Sequence, residues 1–348
     1  MIEVDGSVKS GSGTLLRHGV SLATLLGEGL HMWNIRAGRD KPGLRHQHWQ
    51  SVLSCRDMSR GVVEGAKVGS MEIKYKPGKE ISGGYHDWDI GTGGSTTMLA
   101  MTVLPLACFA GEPATFHISG GLFQDFAPSA YHMQHVLFPT LRKMGIYAGL
   151  EIERPGYAEQ GGGIIKVSVQ PVSGKIEAIT LTSQGEIREV KGVALCSHLK
   201  QIRVSDRMAK ECGRTLKQRC HNAKIELIYD TTASHKGATL AIWAETSTCF
   251  LGSDRSGRKG RRAEGIGSYV ANSLIQDINS GATVDRFLAD QLIIYAALAE
   301  GISEYIIPRM TDHIEANSWL VGHVLGRFGV KTEMIGNRLK IWGMGYHR

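Results

Sequence analysis

Two features of the chain have residue types that can carry out chemistry: a histidine where a helix opens, and a run of arginines far from it in sequence. His313 lies in RMTDHIEANSWLVG (residues 309–322), where Thr311 and Asp312 are good helix N-caps and Ile314, Trp319, Leu320 and Val321 supply apolar residues beyond. Neutral imidazole is a nucleophile near pH 7, and the free N–H groups of a helix start favour a nearby anion. A histidine at such a position is otherwise an ordinary half-exposed polar residue, so the nucleophile reading requires a phosphate-handling region elsewhere. The stretch NIRAGRDKPGLRHQHW (residues 34–49) offers one, with Arg36, Arg39, Lys41, Arg45, His46 and His48 around Pro42 and Gly43. Guanidinium forks fit phosphate oxygens, and the helix predicted after the loop adds backbone donors. Composition alone fits a solvated basic loop equally well, and two histidines with no cysteine in the segment make a poor metal site.

Glycine-rich turns precede predicted helices at Gly11-Ser12-Gly13-Thr14 and at Gly91 to Thr96, and a third lies at Gly161 to Gly163. Each can bring backbone amides to an anion, yet none matches a P-loop or a dinucleotide fingerprint. A second basic segment, DRSGRKGRRAEGIG, carries Arg255, Arg258, Lys259, Arg261 and Arg262 ahead of a helix. It reads either as a mobile basic loop or as a contact with an RNA backbone.

The elements that must position these residues recur in one order. Strand, helix, strand, helix and strand pair run from IEVDG to KYKPG, and again from YHDWDIG to KVSVQPV. A third pass begins at KIEAITLTS and resumes at TVDRFLADQLIIYAALAEG, where Leu288, Leu292, Tyr295 and Ala299 line one apolar helical face. The expectation is an α/β protein of α+β type, built from three repeated β-α-β-α-β-β modules with a small α/β domain inserted in the third. Residues 1–183 and 281–348 form the frame, and residues 184–280 the insertion.

Composition sets the outer bounds. A chain of 348 residues suggests two or so domains at ~150 residues each. Hydrophobic residues at 42% and charged residues at 21% exclude a disordered protein. A net charge of +7 favours an anionic partner, nucleic acid first. The six cysteines form no C-x-x-C pair, which argues against zinc ribbons and a disulfide framework and for reduced thiols. No signal peptide is visible, and the longest apolar run, from Met98, is short and broken by Pro105. The expectation is a soluble cytoplasmic protein with no membrane partner.

Taken in order, VDGS, LLR, IRAGRDKPGLRHQH, VEGAKVGS, GTGGST, GGG, AETST, GRKGRRAEGIG, LADQLIIYAALAEG and TDHIEAN resemble the RNA 3'-terminal phosphate cyclase family over nearly the whole chain. The resemblance implies three repeats like the C-terminal domain of translation initiation factor three, with a small inserted domain. It implies a ligase-type reaction in which a histidine takes AMP from ATP and passes it to an RNA 3'-phosphate, which the neighbouring 2'-hydroxyl then cyclises. By motif position His313 is the nucleophile, and Arg17, Arg36 and Arg39 hold the reacting phosphates. Arg45, Gln47, His48 and Arg261 match residues toward phosphate and RNA. Asp290 and Gln291 fall on the nucleotide side, with Phe287, Phe250 and Pro128 around the adenine. The implied substrates are ATP and RNA with a 3'-phosphate end, and the implied cofactor is a divalent ion, Mg or Mn. Departures from the family pattern are Lys9 and Ser10 where an acidic metal-binding residue is usual, no proline directly ahead of the triple glycine, and Met101 where glutamine is common. The metal ligands are therefore unknown, and the oligomeric state is not fixed by sequence. A non-catalytic RNA-binding paralogue acting as a ribosome-biogenesis scaffold is the alternative, but that branch lacks the histidine. An enolpyruvyl transferase built from related repeats would need neither the histidine nor the IRAGR loop.

Overall fold

Alternation becomes structure at the first strand, β1 (Ile2–Asp5), where Ile2 and Val4 are buried and Glu3 between them is exposed. In the computed structural model, which describes all residues of the chain except Ser10, Glu159 and Cys220, β1 runs parallel to β2 (Leu30–Trp33) across helix α1 (Gly13–Leu26). Helix α2 (His46–Ser59) leads to β3 (Val62–Glu64) and β4 (Ile73–Lys76), giving the order β1-β2-β4-β3 with β4 antiparallel to both neighbours. The second sheet follows the same scheme. Its elements are β5 (Gly84–Asp89), α3 (Thr96–Ala107), β6 (Ala114–Gly120), α4 (Ala130–His132), α5 (Phe138–Arg142), β7 (Ala148–Arg154) and β8 (Gly163–Val169), in the order β5-β6-β8-β7.

After β9 (Thr180–Leu181) a different order intervenes: β10 (Ile187–Ser197), α6 (Val204–Lys217), β11 (Ala223–Asp230), β12 (Gly237–Thr246), β13 (Phe250–Ser256) and α7 (Ala263–Asn279). These strands pair among themselves as β11-β10-β12-β13, and α6 and α7 pack on each other and on the sheet. Then come α8 (Leu288–Leu298), β14 (Glu300–Ile306), α9 (Asp312–Leu325), β15 (Lys331–Ile335) and β16 (Arg338–Met344). Strand β9 pairs in parallel with β14, and the sheet β9-β14-β16-β15 has the strand order and directions of the first two. The mixed α/β class expected from periodicity is the one found.

Three details differ from the sequence reading. Strand β13 was not expected, because FLGSDRS lacks a β-branched pattern and its Asp254 is buried. One oxygen of that carboxylate is met from afar, Oδ2 accepting a 2.8 Å bond from the Ser129 N–H, while Oδ1 has no partner among the described residues. The helix predicted over 129–145 is interrupted by a π-turn at Met133–Leu137, where the Phe138 N–H reaches back to the Met133 carbonyl. Pro139 follows at once, and a residue with no N–H favours such a widening. Helix α8 begins only at Leu288 and is buried on every side, not along one face. Asp285 sets that start, its Oδ1 accepting the N–H groups of Phe287 and Leu288 at 2.8 and 2.9 Å.

The core lies where the helices of the three similar sheets meet: α1 packs on α2, α3 and α9, and α8 packs on α3 and α9. Among the described residues no helix is long and apolar enough to cross a membrane. Cys55, Cys108, Cys196, Cys212 and Cys249 are free and buried.

Candidate active site

Helix packing draws the N-termini of α1, α2, α3 and α9 together. Thr311 caps α9, its hydroxyl accepting the Ile314 N–H at 3.3 Å, and this places His313 in the first turn. His313 Nδ1 lies 3.4 Å from the hydroxyl of Ser12, which caps α1 by accepting the Thr14 N–H at 3.1 Å. One residue further into α1, the Thr14 hydroxyl donates to Asn317 Oδ1 at 2.9 Å, and buried Asn317 donates to the Asp290 carbonyl at 3.0 Å. At the start of α2, His48 Nδ1 accepts the Arg45 N–H at 3.3 Å, while its Nε2 packs on Gly13, where a Cβ would sit 2.1 Å away. Only glycine fits there. Ser95 caps α3, and its N–H donates to Gln47 Oε1 at 2.8 Å, joining α2 to α3. Four positive helix ends around one space make it a site for an anion.

The side chains add to that charge. Arg17 is 2% exposed, its pKa is pushed down to about 10 by burial against the opposing pull of Asp290, and its one hydrogen bond among the described residues is a 3.4 Å contact to the Met98 carbonyl. A guanidinium has five donors, so most of this buried cation's capacity is unmet by protein. Arg36 adopts φ of 54° and donates from Nη1 to the carbonyls of Lys41 and Gly43, both at 2.8 Å, so one end of it clamps its own loop. Arg36, Arg45, His46, Gln47 and His48 line an open recess of about 320 Å³ with Thr92 and Gly94 of the second glycine turn. Arg39 is exposed at the loop tip, near enough for its charge to act on both Arg36 and His313.

These cations hold the histidines neutral. Burial, then Arg36, Arg17 and Arg45, pushes His48 down to about 3, so it serves as an acceptor and not as a cation for phosphate. His313 keeps an exposed edge, yet its pKa is lowered, first by the loss of water around the ring and then by Arg17 and Arg39. Its Nδ1 faces Ser12, and its Nε2 has no hydrogen-bond partner among the described residues. On the other side Asp290 is buried and pushed up to about 7, its Oδ2 accepting from Gln291 at 2.8 Å.

Of the residues expected around adenine, Phe287 sits half-buried at the start of α8 with its ring edge-on to His132, and Pro128 is buried, its carbonyl accepting the Thr97 hydroxyl at 2.7 Å. Phe250 opens β13 half-buried, with Lys143 Nζ 5.7 Å from its ring centroid, two residues before Gly252, whose N–H donates to the same Asp285 that starts α8.

Arg261 is placed differently from the expectation. It is paired within the protein: Nη1 and Nη2 each donate to a carboxylate oxygen of Asp125 at 2.7 Å, and Nη1 also reaches the Ser256 carbonyl. Such a bidentate pair consumes the fork that a phosphate would use. For a metal, the described residues offer no group of three His, Cys, Asp or Glu side chains. Ser10, the departure expected to matter most for metal use, lies outside the described residues.

Sequence reasoning missed Ser12, Asn317, His132 and Asp285. His132 and Asp285 form a buried pair at 2.9 Å, and Asp285 also accepts the Gly252 N–H at 2.8 Å, so β13, α4 and the start of α8 share one carboxylate. The local signal was Asp285 three residues ahead of the first helical residue, Leu288; its partners come from 33 and 153 residues away.

A basic site of this kind, at converging helix ends in a three-sheet frame, points to a protein that handles phosphates. A family model described as RNA 3'-terminal phosphate cyclase matches residues 8–330. Among relatives of that name, the Pyrococcus abyssi protein is 34% identical over 327 residues, or 94% of each chain. That of Pyrococcus furiosus is 35% identical over 333 residues, 95% of each. The Archaeoglobus fulgidus protein is 34% identical over 343 residues, covering 98% of this chain and 100% of the relative. The chain belongs to the RNA 3'-terminal phosphate cyclase family.

Proposed function

We propose that the chain uses ATP to convert an RNA 3'-terminal phosphate into a 2',3'-cyclic phosphodiester. His313 Nε2 attacks the α-phosphorus of ATP; an N–P bond forms, a P–O bond breaks and pyrophosphate leaves. An oxygen of the RNA 3'-phosphate then takes AMP from the histidine, freeing the imidazole. The adjacent 2'-hydroxyl attacks the activated 3'-phosphorus, loses its proton and expels AMP. A phosphate monoester has no good leaving group of its own, and adenylylation supplies one.

The observation that carries this reading is the buried, under-bonded guanidinium of Arg17 among four helix N-termini, beside an imidazole held neutral. A triphosphate would satisfy the first, and the second is the form that attacks phosphorus. Arg36, Arg39 and Arg45 add charge for the leaving pyrophosphate or the incoming 3'-phosphate. Asp290 and Gln291 are assigned to the ribose, and Phe287 with Pro128 to the adenine. The described side chains form no ligand set for a Mg or Mn ion, and no step here rests on an ion held by the protein. We take residues 184–280 as the insertion, since β10 to β13 pair only with one another among the described strands.

Incubation with ATP labelled at the α-phosphate, with Mg or Mn, tests the reading. The expected result is a covalent, acid-labile label on the protein that RNA bearing a 3'-phosphate removes. A protein that binds RNA but takes no label at any pH with either metal would instead be the non-catalytic scaffold.

The pH dependence follows from His313. Its pKa is lowered from 6.5, so the acid limb of labelling lies below pH 6.5. Arg39→Ala removes a positive charge near the ring, which favours the protonated form and moves the limb to higher pH; Arg39→Lys should leave it in place. Identical limbs in all three proteins would separate Arg39 from His313.

A further inference from the structure

Phe126 is 90% exposed, the most exposed large apolar side chain among the described residues. A phenylalanine in water forgoes the burial that stabilises most of its kind, and such exposure marks interaction surfaces. The loop that carries it is pinned on both sides. Gln124 Nε2 donates to the Gly93 carbonyl at 2.9 Å, Asp125 is gripped by Arg261, and the Ser129 N–H is bonded to Asp254. The ring is thus presented by fixed neighbours.

The ground around it is basic and aromatic. Arg255 approaches Asp125 at 3.9 Å and lays its guanidinium over the exposed ring of Tyr269, 3.7 Å from the centroid. The charge of Arg258 acts on Asp125, placing that side chain close by. Arg258 and Lys259 are exposed and form no ion pair among the described residues. Exposed rings beside unpaired cations suit a flexible polyanion with flat bases, since bases stack on aromatic faces and phosphates meet the cations. The surface also runs on to the site. Gly93, which holds Gln124, lies between Thr92 and Gly94, both of which line the recess of Arg36 and Arg45. From Phe126 to Gln124 is two residues, at most ~7 Å of chain.

We infer that this surface binds the single-stranded nucleotides just upstream of the RNA 3' end, one base stacking on Phe126 and Arg258 and Lys259 meeting backbone phosphates. The inference rests on the cyclase reading for its direction, with the terminal phosphate toward the recess. It explains what the basic loop does although Arg261 is occupied: Arg261 holds the platform, and its exposed neighbours touch the ligand.

The test is fluorescence anisotropy with a short single-stranded RNA ending in a 3'-phosphate and labelled at its 5' end, run beside covalent labelling with ATP alone. Phe126→Ala should weaken RNA binding about tenfold or more, leave the slope of log Kd against log salt unchanged and leave labelling by ATP intact; Phe126→Trp should bind as the wild type does. The double variant Arg258→Ala, Lys259→Ala should flatten the salt slope by about 1.4. Phe126→Ala binding within about twofold of wild type overturns the proposal. If no protein takes label yet Phe126→Ala still loses RNA, the surface stands and the cyclase reading fails.

Discussion

His313→Asn is expected to abolish covalent labelling by ATP while the protein unfolds at nearly the wild-type temperature. The side chain has one 3.4 Å contact and an exposed edge, and asparagine is at home at a helix start, so the stability change should stay within about 0.5 kcal/mol. An asparagine amide cannot form the phosphoramidate. Measuring label and melting temperature on the same preparation separates loss of chemistry from loss of fold. A variant that still takes label would move the nucleophile elsewhere, and it would have to be an accessible group, because His18 and His48 are both buried and each is pushed down to about 3.

Arg17→Met should show activity and stability moving in opposite directions. If Arg17 meets the reacting phosphates, its loss costs the labelling step about 2–4 kcal/mol of transition-state stabilisation, roughly 30- to 1000-fold in rate. The empty protein should nevertheless resist urea better at pH 6, because a buried cation with one long hydrogen bond is replaced by an apolar side chain of similar reach. The pH matters through Asp290. Burial raises its pKa from 3.8 to about 7, so the folded protein holds a proton that the unfolded chain releases. The resulting stability is fully present below about pH 4 and is lost as pH rises through about 7. Without Arg17 to pull against burial, the Asp290 pKa rises further and the loss extends to higher pH. Urea midpoints measured across that range check the sign. Normal labelling in Arg17→Met would make this arginine a structural residue only.

How far the sequence revealed all this depends on whether the information was local. Amphipathic spacing and N-caps are local, so α1, α2 and α9 were legible within a residue or two, as were Thr311 and the histidine behind it, while α3 stops at Ala107, short of the apolar run that continues past it. The clustering of Arg36 and Arg45 was legible because the two stand in one short loop, and both line the same recess. The pairing of Arg261 was not legible because its partner, Asp125, lies 136 residues away. Strand β13 and the burial of α8 on all sides were hidden for the same reason: long-range contacts decide them.

The bond between Thr14 and Asn317 spans 303 residues, and the contact between Ser12 and His313 spans 301. Ser12 and Thr14 therefore emerge from the ribosome well before His313 and Asn317, which follow them by 301 and 303 residues. Loops of that length close late and slowly. Until they do, Arg17 lacks the His313 imidazole and the end of α9 does not face those of α1, α2 and α3. A growing chain can therefore fold its first two sheets before His313 reaches Ser12, and the site is complete only when these distant segments meet.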